Sequence, residues 1–367
     1  MKIRGAVLGQ MGADQPFAQS KPLSIRELDA DPPGPTECLV RIEAAGVCHS
    51  DLSVVTGKRP RPTPMLLGHE ASGRIVETGR EVTHLKPGDR VVMTFLPRCG
   101  ECRGCLSNGR IPCGLGSVSN HAGELVSGGS RLHDHKDTVH HHLGVSAFAD
   151  YAIIDHRSMV PIPDDVPPDV AALLGCAVLT GGGAVWNAVR PEPGSTMAII
   201  GLGGVGAAAL LTALAEPGVE VVVIDPVAEK RALGDELGAV RAFTSEQAID
   251  EGLRVDAVVE ASGHPAGLEV GIGILAMGGM LVATGLAAPT ATVPLPALRL
   301  VAEALTFRGS YLGSSVPGRD IPRFIELWRQ GRLPLERLIS HRIGLDDVNE
   351  AMDRLAAGMA LRQVMTP

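Results

Sequence analysis

The sequence predicts an α/β protein in which a β-rich region precedes a doubly wound parallel sheet. Up to about residue 175, short apolar runs such as 71–79 and 88–95 are broken by Gly and Pro, which is typical of a β-rich domain with irregular loops. From about residue 178, apolar strands such as 219–225 and 278–285 alternate with helical segments. That alternation indicates a parallel sheet with crossover helices.

Composition excludes several classes of function. The net charge of −8 and the lack of a Lys/Arg run argue against nucleic acid and acidic membranes as partners. The N-terminus has no apolar segment of signal-peptide length, and no stretch reaches the roughly 18 apolar residues of a membrane span. We therefore expect a cytoplasmic protein, in which clustered thiols bind metal more often than they form disulfides.

A glycine motif predicts a dinucleotide site. Gly201, Gly203 and Gly206 match G-x-G-x-x-G between an apolar strand and a helix, with Gly204 and Val205 inside the motif. The three glycines serve the tight turn, the approach of the pyrophosphate and close helix packing. The phosphates would lie at the helix N-terminus, whose free N–H groups favour anions.

The next strand predicts which dinucleotide binds. Asp225 stands nineteen residues after the last glycine of the motif, where it would accept hydrogen bonds from the adenosine ribose. Its charge would repel a 2′-phosphate, and Pro226 and Val227 offer no cation. NAD is therefore predicted over NADP, with Lys230 also assigned to the cofactor.

Four cysteines form a compact cluster. Cys99, Cys102, Cys105 and Cys113 have the pattern C-x2-C-x2-C-x7-C, and four thiolates in fifteen residues can bind one tetrahedral structural zinc. The first three also have the spacing of an iron–sulfur ligand run, although Gly114 rather than Pro follows the fourth. Disulfides or free thiols are the remaining alternatives.

Three cysteines remain outside that cluster. They are Cys38, Cys48 and Cys176. A catalytic zinc takes three protein ligands and keeps one position open. Taken singly, each cysteine, and His69, would be an ordinary core residue.

Together these motifs resemble the zinc-containing medium-chain alcohol dehydrogenases, of the liver-type and formaldehyde-oxidising branch, over essentially the whole chain. The resemblance is carried by C-x-S-D (48–51), GHE (68–70), the four-thiol lobe, GC-x-x-x-TG (175–181), GLGGVG and Arg362. It implies a GroES-like catalytic domain over 1–177 and 312–367 and a Rossmann domain over 178–311.

The resemblance also implies roles for single residues. Cys48, His69 and Cys176 would bind the catalytic zinc, so that the chain holds two zinc ions. The other roles are Asp51 holding the imidazole, Glu70 beneath the metal, Ser50 taking the alcohol proton, Phe95 lining the substrate pocket, Thr180 and Val205 at the nicotinamide, and His49 and Arg362 as cations at the pyrophosphate. Cys38 would be a spare buried thiol.

Two features depart from the pattern or exceed it. Relatives commonly place a histidine three residues after the relay hydroxyl, where this chain has Ser53, so the proton leaves through Ser53 and water or elsewhere, such as His49. The histidine-rich stretch 133–142 is interpreted as a solvated loop rather than a metal site. By the same resemblance, the strand near 304–313 would pair across a two-fold axis to form a homodimer.

The predicted function is reversible oxidation of a primary or secondary alcohol with NAD. One alternative is oxidation of a hydroxymethyl conjugate of a small thiol, for which Arg59 and Arg61 could supply a cationic pocket. Another is a non-catalytic nucleotide-binding structural protein on the same fold, although such proteins typically lose the zinc ligands.

Overall fold

The computed structural model describes all residues 1–367, which form two compact units. The first unit contains residues 1–107, 111–176 and 339–367, and the second contains 108–110 and 177–338. The predicted boundary at 312 is therefore displaced, because residues 312–338 belong to the second unit.

The chain contains eighteen β-strands. In chain order they are β1 (Lys2–Leu8), β2 (Leu23–Ala30), β3 (Glu37–Val47), β4 (Met65–Leu66), β5 (Ala71–Thr78), β6 (Arg90–Met93), β7 (Leu132–Asp134), β8 (Asp137–His141), β9 (Tyr151–Asp155), β10 (Met159–Ile162), β11 (Thr196–Ile200), β12 (Glu220–Ile224), β13 (Arg241–Phe243), β14 (Val255–Glu260), β15 (Leu275–Ala283), β16 (Thr306–Gly309), β17 (Ile339–Gly344) and β18 (Arg362–Thr366).

Thirteen α-helices connect or cover the strands. They are α1 (Phe17–Ser20), α2 (His49–Val55), α3 (Arg103–Leu106), α4 (Gly114–Ala122), α5 (Pro168–Leu173), α6 (Leu179–Gly183), α7 (Gly204–Leu214), α8 (Ala228–Leu237), α9 (Ser245–Asp250), α10 (Pro265–Gly273), α11 (Ala297–Ala302), α12 (Pro317–Arg329) and α13 (Val348–Ala356).

The first unit is β-rich, as its apolar runs predict. Strands β1, β2, β7, β8 and β4 close a barrel, and a seven-stranded sheet has the order β10-β6-β5-β3-β18-β17 with β9 paired to β3. The core of this unit includes Val40, Met93, Phe148 and Met365, all buried. Burying such apolar surface supplies most of the driving force for folding.

Pairing around β3 determines where the candidate site forms. Ala45 of β3 lies opposite Ala71 of β5, and Val47 lies opposite Gln363 of β18. Because the residues that follow β3 and precede β5 and β18 then lie at the same end of the sheet, three distant sequence segments meet there.

The second unit is a parallel sheet with helices, and its strand order is β13-β12-β11-β14-β15-β16. All five pairs in this sheet are parallel. The strands read as near-continuous apolar runs because the crossover helices bury both faces. The order reverses at β11, where a ligand crevice is expected at the carboxyl ends of the strands.

Residues 312–338 join the second unit through contacts that sequence periodicity does not reveal. Ser315 donates a hydrogen bond from Oγ to the Leu179 carbonyl at 3.0 Å, and Asn187 donates to Asp320 Oδ2 at 3.1 Å. The rings of Trp186 and Phe324 stack with centroids 4.3 Å apart. These long-range contacts explain the displaced boundary.

One helical run has the length and composition of a membrane span. Within Pro168–Val189, an 18-residue window has a mean hydropathy of 1.5, but 89% of that window is buried inside the protein. The expectation that no stretch reaches the apolar length of a membrane span is therefore wrong. The burial of this run is that of a core helix.

Candidate active site

The four-thiol cluster is assembled by two helix N-termini. Cys102 caps α3 and accepts a hydrogen bond from the Cys105 N–H at 3.4 Å, and Cys113 caps α4 and accepts one from the Gly116 N–H at 3.4 Å. Backbone donation from Cys105 lowers the pKa of the Cys102 thiol to about 6. N–H groups at a helix N-terminus favour the thiolate, which is the form that binds metal.

The spacing of the four sulfurs fits one tetrahedral ion. The Cys99–Cys105 sulfurs are 3.8 Å apart and the Cys102–Cys113 sulfurs are 3.9 Å apart. A zinc with bonds of about 2.3 Å would place its sulfur ligands about 3.8 Å apart. All seven cysteines are free, so no disulfide competes for these thiols.

A second cluster forms at the end of β3. Cys48 follows β3 and caps α2, His69 lies just before β5, and Cys176 lies in a π-helical turn, Leu174–Val178. The ligand atoms of all three lie within 4.8 Å of one another and are buried. Cys176 Sγ lies 3.7 Å from His69 Nε2, close to the edge of about 3.6 Å expected between sulfur and nitrogen ligands of tetrahedral zinc.

The surroundings of Cys48 favour its thiolate, which is the form that binds metal. The hydrogen bond with Cys176 lowers the pKa of the Cys48 thiol well below its usual range. Burial opposes this shift, and the Arg362 charge supports it. A thiolate is therefore stabilised in a site that solvent does not reach.

Asp51 fixes the imidazole of His69. Its Oδ1 lies 3.0 Å from His69 Nδ1, which leaves Nε2 of the ring facing Cys176. Its Oδ2 accepts a hydrogen bond from the Cys48 N–H at 2.9 Å. Although burial alone would raise it, the His69 charge lowers the pKa of Asp51 to about 2, so the carboxylate stays ionised.

Glu70 and Arg362 lie together under the same cluster. Arg362 Nη2 is 3.3 Å from Glu70 Oε2, and both side chains are nearly inaccessible. Burial raises the pKa of Glu70 to about 7, against the opposing Arg362 charge. Neither Glu70 oxygen has an aligned hydrogen bond, and a Cβ on Gly46 would lie 2.7 Å from Oε1. A buried carboxylate of this kind fits a site that a divalent cation completes.

Phe95 contacts the cluster, and the predicted relay residues lie on α2, which Cys48 caps. The Phe95 ring meets the His69 ring edge-on with centroids 5.9 Å apart. Ser50 is half-buried on the first turn of α2, and His49 is exposed beside it. The Ser53 hydroxyl donates to the His49 carbonyl at 2.8 Å.

The histidine-rich stretch is not a solvated loop, and that interpretation is wrong. It forms β7 and β8, and His141 and His142 are buried, whereas His135 stays exposed. His142 packs against Asp51 and His69. Burial alternates from Val139 to His141 along β8, but the residue types there do not alternate, so the sequence carried no clear strand signal.

In the second unit, the glycine motif adopts the predicted turn. Gly201 has a φ of +85°, and α7 begins at Gly204 with Gly203 as its N-cap. A Cβ on Gly206 would lie 2.0 Å from the Gly201 carbonyl oxygen, whereas one on Gly203 would meet no atom within 4 Å. The space beside the backbone is therefore open at Gly203, whereas Gly206 is packed against the turn and has no room for a side chain.

Asp225, Thr180 and Lys230, which are also predicted to bind the cofactor, lie in the same unit, whereas His49 and Arg362 lie in the first unit. Asp225 is 3% exposed and accepts hydrogen bonds from the N–H groups of Leu202 at 2.7 Å and Val227 at 2.9 Å. Thr180 is buried in α6, and a Cβ on Gly181 would lie 2.0 Å from the Val205 carbonyl oxygen, so α6 and α7 pack closely. Lys230 is half-buried in the first turn of α8.

One cation near Asp225 was not predicted from the sequence. Arg231 Nη1 donates hydrogen bonds to the carbonyls of Asp225 and Pro226, each at 2.8 Å. Arg231 lies one helical turn after Val227. Periodicity of α8 was the signal that could have revealed it.

The fold and the two clusters define a zinc-binding dehydrogenase, and comparison with known proteins places the chain more narrowly. Residues 34–164 match the family model of the alcohol dehydrogenase GroES-like domain, and residues 204–330 match that of the zinc-binding dehydrogenases. The fold class predicted from the sequence is confirmed.

Similar proteins extend over the full chain. A putative alcohol dehydrogenase D of Mycobacterium tuberculosis is 36% identical, with 100% of both chains covered. A geraniol dehydrogenase of Castellaniella defragrans is 36% identical, covering 100% of this chain and 98% of that protein. The crystal structure of benzyl alcohol dehydrogenase from Acinetobacter calcoaceticus superposes with a TM-score of 0.91 at 30% identity, covering 100% and 99%.

The chain belongs to the zinc-dependent medium-chain alcohol dehydrogenase family, and the family predicted from its motifs is confirmed. It is therefore an oxidoreductase, an enzyme of the alcohol dehydrogenase class.

Proposed function

We propose that this enzyme reversibly transfers a hydride between a primary or secondary alcohol and NAD, with two zinc ions per chain. The observation that carries the proposal is the convergence of Cys48, His69 and Cys176 on one buried point, within 4.8 Å of one another. Three ligands leave one coordination position for substrate, whereas the four-cysteine cluster is closed.

The residues around the open site determine its chemistry. Bound there, zinc would polarise the substrate oxygen while NAD accepts the hydride. Asp51 keeps the proton of His69 on Nδ1, so that Nε2 offers its lone pair. Ser50 is proposed to take the alcohol proton, and Phe95 to form one wall of the pocket beside His69.

The exit route of the proton is proposed to bypass Ser53. Its hydroxyl hydrogen is committed to the His49 carbonyl at 2.8 Å, one helical turn back. The exposed His49 side chain, next to Ser50 along the chain, is proposed as the alternative exit. A pyrophosphate-binding role for His49 and Arg362 also remains part of the proposal.

The cofactor is proposed to be NAD. Asp225 is buried at the end of β12, and its charge would oppose a 2′-phosphate. Arg231 is not expected to bind a 2′-phosphate, because its guanidinium donates hydrogen bonds to the carbonyls of Asp225 and Pro226.

A homodimer through β16 is also proposed. This strand lies at the edge of its sheet and pairs only with β15. The helix that precedes it in the chain, α11, also exposes apolar side chains, with Leu298 83% and Val301 81% accessible. An unprotected edge strand beside apolar surface favours pairing with a second copy. Light scattering of wild type and Leu298→Lys measures this, and a monomeric wild type would contradict it.

One experiment tests the proposed activity. Zinc content is measured, and alcohols and aldehydes of graded size are assayed with NAD and NADP separately. Geraniol and benzyl alcohol are the first substrates to try, since the names of two similar proteins indicate them. Two zinc ions with no turnover would favour a non-catalytic protein, and turnover of formaldehyde only with an added thiol would favour the thiol-adduct alternative.

A further inference from the structure

His142 lies directly behind the ligand cluster and is 1% exposed. Its Nδ1 is 3.1 Å from Asp51 Oδ1, the same oxygen that His69 Nδ1 approaches at 3.0 Å. The imidazoles of His142 and His69 meet edge-on, with centroids 5.1 Å apart and planes at 84°. One carboxylate oxygen is thus held between two histidine rings.

The backbone fixes both histidines through the same short strands. His141 at the end of β8 pairs with Leu66 of β4, three residues before His69. The His142 N–H donates to Ser146 Oγ at 2.9 Å, and that hydroxyl donates to the Leu66 carbonyl at 2.8 Å. His142 therefore cannot move without disturbing the segment that carries His69.

The contact with Asp51 is polar and close, although the His142 N–H is tilted away from a straight hydrogen bond. The His142 ring therefore places a dipole beside Asp51 and a rigid surface against the His69 ring. Phe95 also meets the His69 ring edge-on. With Phe95 and His142 both packed against it, the His69 ring has little freedom to rotate.

We propose that His142 is a positioning residue for the catalytic metal, acting through Asp51 on His69. It restrains the carboxylate that fixes the His69 ring, and so keeps Nε2 directed at the point that Cys48 and Cys176 share. This inference rests on the proposed zinc at that site. Substitution of a residue that contacts a metal ligand typically lowers metal affinity about 10–100-fold. His142 acts one contact further out, through Asp51, so we expect an effect near the lower end of that range.

The test compares three substitutions in the full-length enzyme loaded with zinc. His142→Phe keeps a ring but no polar atom, His142→Asn keeps a donor near the Nδ1 position, and His142→Gln places its amide further out. His141→Phe is the matched control, because His141 is the adjacent buried histidine and accepts from the Arg131 N–H instead. Zinc release to a chelator is followed with a metal indicator dye.

The structural zinc serves as a reference within each molecule. Its release phase is identified as the one missing from a Cys113→Ser variant. We expect His142→Phe to release the catalytic zinc about tenfold faster, with the structural phase unchanged. We expect His142→Asn to stay within about threefold of wild type, and His142→Gln to resemble His142→Phe. Cobalt substituted at the catalytic site should show a changed visible spectrum in the fast variants only.

Several outcomes would overturn the inference. Equal catalytic-zinc release from wild type and His142→Phe would refute it, as would the same acceleration in His141→Phe. If His142→Phe fails to fold, equal rates for the Asn and Gln variants would refute it, and a fast Gln variant beside a normal Asn variant would support it. A wild-type enzyme holding only the structural zinc would instead refute the proposed function on which the inference rests.

Discussion

Replacing Asp225 with Asn tests the cofactor assignment at a single side chain. The carboxylate already accepts from the N–H groups of Leu202 at 2.7 Å and Val227 at 2.9 Å. Asn has nearly the same shape, but one of its two terminal atoms is a donor. One backbone N–H then faces another donor, and the negative charge at the ribose position disappears.

The expected magnitude follows from the hydrogen bonds that are lost. A hydrogen bond to a charged group contributes about 1.5–3 kcal/mol. Since about 1.4 kcal/mol corresponds to a factor of ten, losing one such bond to the ribose should weaken NAD binding about 10–150-fold. Asp225 is assigned to the ribose and not to the reacting atoms, so kcat should change less than about threefold. NADP should gain relative to NAD, because the repulsion of a 2′-phosphate is removed.

Steady-state kinetics with both cofactors measures this prediction. Asp235→Asn is the control, since Asp235 is an exposed acid of the same unit on α8. Thermal unfolding of both variants shows whether the mismatched N–H at residue 225 disturbs the fold. An unchanged KM for NAD in Asp225→Asn, or a wild type that uses NADP as efficiently as NAD, would refute the reasoning.

Three further predictions concern the relay, the structural zinc and stability. Ser50→Ala should remove most of the turnover while Ser53→Ala changes little, and equal severe losses in a kinetic assay would contradict this. Cys113→Ser should lose one zinc per chain in metal analysis, whereas Cys38→Ala, at the spare buried thiol, should keep both. Glu37→Gln should cost about 2–3 kcal/mol at pH 7, less than the 3–5 kcal/mol of a fully buried pair, because Arg131 is 28% exposed.

The cost of Glu37→Gln should depend on pH in one direction. Although burial opposes it, the Arg131 guanidinium lowers the pKa of Glu37, so the pair stabilises the fold above the unfolded pKa of about 4.3. That contribution is lost as pH falls through the lower folded value. Urea unfolding should therefore show the wild-type advantage at pH 7 shrinking toward pH 3, and an advantage that grows in acid would contradict the assignment.

Local chemistry was readable from the sequence. The four-thiol cluster occupies fifteen residues, and the glycine motif six, so the residues that must meet are already near one another along the chain. The alternation of apolar residues likewise follows from the geometry of strands and helices, which is local. The family resemblance then connected Cys48, His69 and Cys176, which local spacing alone could not.

The tertiary structure decided what depends on long-range pairing. His142 became a neighbour of Asp51 only because β8 pairs with β4, and Arg362 met Glu70 only because β18 pairs with β3. Residues 312–338 joined the second unit through packing against Leu179, Asn187 and Trp186. Neither the composition of a segment nor the spacing of its residues indicates such partners. Long-range contacts and burial are determined only when distant segments pack together in the folded core.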